Sequence, residues 1–84
     1  MAEIVITDDA QRQAAKLPKA IRARLHRVVA RLAAWPAVSG AKPLRGGMAG
    51  QYRLRSGDYR IQFRVAGDTV TITKIGHRDG FYDA

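Results

Sequence analysis

The chain has 84 residues, and its 15 lysines and arginines against 7 aspartates and glutamates give a formal net charge of +8. That length suits one small domain spanning residues 1–84, and a hydrophobic fraction of 46% excludes a wholly disordered chain. The absence of cysteine excludes disulfides, thiolate nucleophiles and cysteine-bound metals. No apolar run reaches the roughly 20 residues of a membrane-spanning helix, and the N-terminus lacks the features of a signal peptide. We therefore expect a cytoplasmic protein without membrane contact.

The first half of the chain predicts a strand followed by two helices. Glu3–Ile6 is a short β-branched run typical of a strand. Thr7 can cap a helix that ends near Leu17, because Pro18 cannot continue it. The second helix carries a continuous apolar stripe and ends before Pro36. The stripe consists of Ile21, Leu25, Val28, Leu32 and Trp35.

The second half predicts a loop and then a meander of three strands. Residues 37–50 are rich in glycine, proline and serine, which indicates a loop. The three strands are predicted at Gln51–Arg55, Tyr59–Val65 and Thr69–Ile75. In the last of them, simple alternation places Val70, Ile72 and Lys74 on one face. The whole pattern predicts an α+β domain, with a two-helix hairpin packed on a small, mainly antiparallel four-stranded sheet.

The positive charge is concentrated in a long stretch without carboxylates. Between Ala10 and Gly57 there is no aspartate or glutamate to pair with the cations, so the folded surface carries a strong positive field. Such a field attracts polyanions, which include nucleic acid, an anionic membrane face and an acidic protein. The cations in this stretch are Arg12, Lys16, Lys19, Arg22, Arg24, Arg27, Arg31, Lys42, Arg45, Arg53 and Arg55.

Two of the predicted strands place arginines on the face opposite their apolar residues. In a tight hairpin, Arg53 and Arg55 would lie near Arg60 and close to Arg64. Like charges side by side destabilise a sheet, so a fold tolerates them where an anion binds or where the side chains extend into solvent. An exposed sheet face normally carries charge, and both interpretations stay open on the strands alone.

The segment after the third strand adds further candidate functional groups. His77 lies beside Arg78, and Tyr82 follows four residues later. Histidine is the side chain that titrates near neutral pH without help, so His77 is a candidate proton carrier. The alternative for Tyr82 is a structural aromatic residue that covers the edge of the core.

The order and spacing of several segments form a recognisable pattern. With the opening strand and the Leu17–Pro18 helix junction, it resembles the RelE/ParE superfamily of bacterial type II toxins along essentially the whole chain. The segments are Lys42-Pro43-Leu44-Arg45-Gly46, Gln51–Ile61, and Ile75-Gly76-His77-Arg78 followed by Tyr82. The resemblance implies a microbial RNase-like fold and a toxin that cuts mRNA in the ribosomal A site without a metal or other cofactor.

The resemblance also implies roles for individual arginines. Arg45 matches a basic residue that contacts RNA, and Arg60 matches an arginine that stabilises the phosphate in the transition state. Arg53 and Arg55 fall where RelE itself has lysines assigned to proton transfer and backbone contact. Because guanidinium groups stay protonated in proteins, we expect these two arginines to bind RNA and stabilise developing charge rather than to act as bases.

At the C-terminal end, Arg78 matches a residue proposed to assist the leaving group, and Tyr82 matches a tyrosine that stacks on or orients a base. The spacing between these two positions is tighter here than in RelE itself. With arginines in place of both lysines, His77 is the obvious neutral-pH proton carrier in the sequence. Its use in catalysis is our own hypothesis.

The same resemblance also implies an alternative activity and a set of binding partners. ParE-like members of the superfamily inhibit DNA gyrase instead of cutting RNA. The fold alone does not distinguish these two activities. A basic binding domain without catalysis is a third interpretation; the arginine-bearing strand and the His-Arg tail favour the RNase. A toxin implies a cognate acidic antitoxin and contact with promoter DNA only through that antitoxin. The RNase also implies the ribosome and mRNA as partners.

Overall fold

The computed structural model describes residues 2–44 and 50–78, and within them the chain forms two helices and a five-stranded sheet. A single 3-10 turn, Leu32–Ala34, follows the second helix. The elements in chain order are β1 (Glu3–Ile6), α1 (Asp8–Ala15), α2 (Lys19–Arg31), β2 (Lys42–Pro43), β3 (Gln51–Ser56), β4 (Tyr59–Ala66) and β5 (Thr69–His77).

The strands are arranged in the spatial order β1-β5-β4-β3-β2. The first strand pairs with β5 in parallel, and the remaining neighbours pair antiparallel. The predicted α+β class and helix hairpin are confirmed, whereas the sheet has one strand more than predicted. The extra strand is β2, whose two residues lie inside the segment predicted to be a loop. A proline in so short an edge strand leaves no alternating pattern for sequence analysis to detect.

The helix boundaries follow the capping signals of the sequence. The Thr7 hydroxyl accepts a hydrogen bond from the Ala10 backbone N–H at 3.2 Å and so caps α1. Asp8 and Asp9 stand in the first turn, where the helix dipole favours negative charge. The second helix begins directly after Pro18, as expected from its fixed φ and missing N–H.

The core lies between α2 and one face of the sheet. Leu32 from the predicted stripe is fully buried, as are Ile61 and Phe63 of β4. Burying side chains of this size contributes roughly 1.5–3 kcal/mol each. Trp35 closes one end of the core, with its ring centroid 4.7 Å from Tyr52 and 5.4 Å from Phe63. The helices therefore cover the apolar face and leave the other face of the sheet for function.

A β-bulge interrupts the pairing of β4 with β5. Gln62 lies opposite Lys74, but the next residue, Phe63, lies opposite Ile72, so Thr73 has no direct partner in β4. The Thr73 hydroxyl donates to the Gln62 carbonyl oxygen at 3.2 Å, which ties the extra residue to the neighbouring strand. One residue is thereby inserted into the alternation of β5.

The bulge changes which side chains of β5 face the core. Val70 and Ile72 are fully buried before it, and Ile75 is 6% exposed after it, so Ile75 joins them on the helix side. The prediction that Lys74 shares a face with Val70 and Ile72 is wrong, because strict alternation does not hold across an inserted residue. Lys74 instead shares a face with its partner Gln62.

Neither helix within residues 2–44 and 50–78 has the length and hydropathy that crossing a bilayer requires.

Candidate nucleic-acid interface

The sheet face turned away from the helices is basic. Directly opposed residues of neighbouring strands lie on the same face, and the register aligns Lys42, Arg53, Gln62 and Lys74 in one row across four strands. A second row aligns Arg55 with Arg60. We call this surface the cationic face, and define it by Lys42, Arg53, Arg55, Arg60, Arg64 and Lys74.

A cleft of about 300 Å³ opens on the cationic face beside the edge strand β2. The strands β2 to β5 contain no aspartate or glutamate to neutralise it. Its described lining therefore presents fixed positive charge from three different strands to whatever enters. The lining residues are Gly40, Lys42, Arg53, Arg55 and Arg60.

Arg60 is one of the cations that line this cleft. The side chain is half-buried, and its Nε is buried without a hydrogen-bond partner among the described residues. A buried polar group without a partner is costly, and a charged donor forms its strongest hydrogen bonds with anionic oxygens. Since Arg60 lines the cleft, its guanidinium group is positioned to contact a phosphate there.

The like charges of the hairpin support the same interpretation. Arg55 lies directly opposite Arg60, an arrangement that destabilises an empty sheet. An anion between the two guanidinium groups removes that repulsion, and their planar forks suit bidentate contact with phosphate. The chemistry that this cleft can perform is thus stabilisation of negative charge on phosphate, as in recognition of a nucleic-acid backbone.

Arg78 lies beside the β3–β4 turn, outside the lining of the cleft. Its backbone N–H donates to the Asp58 carbonyl oxygen at 2.7 Å, and its Nε is 3.9 Å from the Asp58 carboxylate. The Arg78 side chain is 58% exposed. The turn thus holds the backbone of Arg78 at the end of the sheet, while more than half of its side-chain surface is exposed.

His77 lies on the helix-facing side of the sheet, not on the cationic face. It pairs with Tyr59, whose strand alternation matches that of buried Ile61, and the two rings meet edge to face with centroids 5.2 Å apart. Arg24 of α2 lies 5.9 Å from the same Tyr59 ring. The expectation that His77 joins the arginines is corrected here, because alternation along β5 directs it to the opposite side.

Two further predicted site residues, Arg45 and Tyr82, lie outside the described residues. Their predicted roles in RNA contact and base stacking stay predictions.

Sequence analysis missed two members of the cationic face. Lys42 was noted only as part of the general positive charge and of a motif, because its place beside Arg53 depends on the short strand β2. Lys74 was assigned to the wrong face because the bulge at Thr73 has no clear sequence signal. The Lys-Pro-Leu-Arg-Gly motif could have drawn attention to Lys42, since it already contained a predicted RNA contact.

Comparison with known proteins decides the family. A family model described as the ParE toxin of type II toxin–antitoxin systems, parDE, matches residues 4–80. The chain belongs to this toxin family. The toxin is also 32% identical to a chain in the crystal structure of the RelBE2 toxin–antitoxin complex of Mycobacterium tuberculosis, with a TM-score of 0.81. That alignment covers 92% of the toxin and 98% of the other chain. The resemblance to the RelE/ParE superfamily is therefore confirmed.

Two further comparisons give a shorter sequence match and a shared fold at lower identity. Toxin RelE3 of Methanocaldococcus jannaschii is 47% identical over 32 residues, which are 38% of the toxin and 36% of that relative. The match thus spans about a third of the relative's length. The isolated RelE toxin of E. coli has the same fold, with a TM-score of 0.78 at 21% identity and coverage of 92% of the toxin and 84% of that chain.

Proposed function

We propose that this toxin is a metal-independent endoribonuclease that cleaves mRNA on the ribosome and so inhibits translation. The observation that carries the proposal is the cleft on the cationic face, in which Arg53, Arg55, Arg60 and Lys42 converge with no carboxylate among the described lining residues. A cleft of fixed positive charge suits a reaction in which negative charge develops on phosphate. The resemblance to RelE supports mRNA as the substrate.

The proposed reaction is an internal phosphoryl transfer within the RNA. The ribose 2′-oxygen attacks the adjacent phosphorus and forms a 2′,3′-cyclic phosphate, while the bond from phosphorus to the 5′-oxygen breaks. The 2′-hydroxyl proton leaves to a base, and the departing 5′-oxygen takes up a proton. Both the nucleophile and the leaving group belong to the RNA, so the protein supplies positioning, charge stabilisation and proton transfer.

Arg60 is the proposed ligand of the reacting phosphate. Its place in the cleft lining and its position opposite Arg55 support a role in holding the non-bridging oxygens as charge accumulates on them. Arg53, one row away, would hold the RNA backbone next to the reacting phosphate. Arg78 at the end of β5 would act near the leaving group, as the family resemblance implies.

Proton transfer needs a group other than guanidinium, because arginine stays protonated. Among the described residues of the cleft lining, Lys42 is the cation that is not a guanidinium, and its ammonium group can donate a proton. We assign the proton-transfer role to Lys42 rather than to His77, since His77 lies on the opposite side of the sheet.

The test is cleavage of a defined mRNA on purified ribosomes, read as new 5′ ends by primer extension. The expected result is cleavage at fixed positions of the ribosome-bound message, unchanged by a metal chelator used at a concentration that leaves ribosomes intact. An intact message at toxin concentrations above that of the ribosomes would overturn the proposal. Free mRNA serves as the control for dependence on the ribosome.

Inhibition of DNA gyrase is the second candidate, and the ParE description of the matching family model favours it. The same purified toxin would then block supercoiling of relaxed plasmid by gyrase. Blocked supercoiling with an intact ribosome-bound message selects the gyrase inhibitor, whereas cleaved message with normal supercoiling selects the RNase.

Either activity implies a cognate acidic antitoxin. The structural relatives include RelB–RelE complexes, and the cationic face provides a surface that acidic residues would neutralise. An apolar groove of about 460 Å³ beside α2 provides a second surface, for an apolar segment of the same partner. The groove is lined by side chains that include Ile4, Ile6, Ala14, Val29 and Ala30.

A further inference from the structure

The β-bulge adds a cation to the cationic face at a distance from the cleft. Lys74 lies in the same row as Arg53, separated from it by Gln62 of β4. Arg53 lines the cleft, whereas Lys74 does not. If β5 alternated regularly from Ile72 onward, with no bulge, position 74 would face the helices. The bulge therefore places the ammonium group of Lys74 on the cationic face, where regular pairing would not place it.

The distance between Lys74 and the cleft residue Arg53 is greater than the rise of one nucleotide. Adjacent strands are about 4.8 Å apart, so the backbones at Arg53 and Lys74 lie roughly 10 Å apart. That distance exceeds the rise of about 3.4 Å per nucleotide in one strand of a duplex. Cations at this spacing can therefore contact different phosphates of one strand. Gln62 between them is uncharged, and its amide nitrogen lies 3.4 Å from the side-chain oxygen of Gln51.

We propose that Lys74 forms a second phosphate-binding position, which holds the backbone of single-stranded RNA outside the cleft. This inference rests on the proposed RNA-cleaving function and extends it, because it requires a substrate longer than the nucleotides at the reacting bond. A lysine suits this position, since its flexible ammonium binds a phosphate as a point charge without fixing the orientation. Lys74 is a binding residue and has no part in the bond-breaking step.

The test compares RNA binding by the purified toxin and its Lys74→Gln variant. The probes are 2′-O-methyl oligonucleotides of two and eight nucleotides, which lack the attacking hydroxyl, and affinity is measured by fluorescence anisotropy over a range of salt concentrations. Lys74→Gln should bind the octamer roughly fivefold more weakly at low salt. The slope of log K against log salt should fall in magnitude by about 0.7, the value for one phosphate contact in a single strand.

Control variants and a short control oligonucleotide distinguish the loss of one phosphate contact from a general effect of the substitution on the protein. Lys74→Arg keeps the charge and should retain the slope, and Lys19→Gln, at an exposed position that begins α2, should match the wild type. The dinucleotide should bind all variants equally. An unchanged slope for Lys74→Gln, or an equal loss for both oligonucleotides, overturns the inference.

Ribosome assays distinguish failure of this inference from failure of the proposed function. Suppose that the wild type cleaves ribosome-bound mRNA but Lys74→Gln keeps the wild-type slope of log K against log salt. The proposal of a second phosphate-binding position at Lys74 is then wrong, and the RNase assignment stands. If the slope changes as expected but no message is cleaved, the RNA-binding position stands and the RNase assignment is wrong.

Discussion

Arg55 and Arg60 are direct cross-strand partners, so two guanidinium groups occupy adjacent positions on the cationic face. Directly opposed like charges cost up to about 1 kcal/mol in a sheet. An anion bound between them would remove this cost and stabilise the folded state through its preferential binding. Anion binding at this pair would therefore couple the stability of the toxin to the occupancy of its cleft.

We expect sulfate or phosphate to raise the melting temperature of the wild type more than chloride at equal ionic strength. Arg55→Gln should raise the melting temperature in chloride, because it removes the repulsion, and should reduce the additional gain in phosphate. Thermal unfolding followed by circular dichroism measures both effects. Equal gains in phosphate for the wild type and Arg55→Gln would show that the cleft does not bind anions through this pair.

Arg60 should contribute far more to RNA cleavage than Arg64, although both belong to β4 and the cationic face. Arg60 lines the cleft with a buried Nε, whereas Arg64 is exposed and lies opposite Gln51. Removing one preorganised donor from a reacting centre costs about 10²–10³ in rate. Arg60→Gln should lose about that factor in single-turnover cleavage of ribosome-bound mRNA, and Arg64→Gln should lose less than about fivefold. Similar losses for the two variants would point to a diffuse electrostatic effect of the whole face.

His77 should be dispensable for cleavage and should contribute modestly to stability. Its ring contacts Tyr59 on the helix side of the sheet, and such edge-to-face pairs contribute about 0.5–1.5 kcal/mol. His77→Ala should lower the free energy of unfolding by at most that amount and change the cleavage rate by less than about threefold. A loss of cleavage in a variant that remains folded would restore the proton-carrier role to this histidine.

The alternation of side chains along the strands was sufficient to predict one part of the site. Between Gln51 and Gln62 the two strands pair without interruption, so period-two alternation in the sequence correctly places Arg53, Arg55 and Arg60 on one face. The apolar stripe of the second helix is predictable for the same reason, because periodicity is local. The predicted helix end before Pro36 is less accurate, because α2 ends at Arg31 and a 3-10 turn over Leu32–Ala34 leads to Trp35.

The parts that sequence analysis missed depend on contacts between distant segments. The two-residue strand β2 exists only because it pairs with β3, and nothing in its own sequence indicates a strand. The bulge at Thr73 is defined relative to Gln62, and a hydroxyl that can donate to a neighbouring carbonyl is present in many regular strands. The faces of Lys74 and His77 could not be assigned until that register was known.

The apolar groove beside α2 should serve antitoxin binding and be independent of RNA cleavage. Ala30 is an exposed residue of α2 that lines this groove, and Ala23 is an exposed residue of the same helix outside its lining. A glutamate at position 30 would place an unpaired charge against an apolar segment of the partner, so Ala30→Glu should weaken antitoxin binding at least tenfold. The matched variant Ala23→Glu should bind the antitoxin with nearly wild-type affinity.

Titration calorimetry with the cognate antitoxin measures these affinities, and the ribosome assay measures cleavage by the same variants. Ala30→Glu should cleave mRNA normally while resisting inhibition by the antitoxin, because the groove and the cleft lie on different sides of the sheet. Raising the salt concentration should weaken antitoxin binding to the wild type, since the cationic face contributes a screened electrostatic attraction. Normal inhibition of Ala30→Glu by the antitoxin would exclude the groove as its docking surface and leave the cationic face as the remaining candidate.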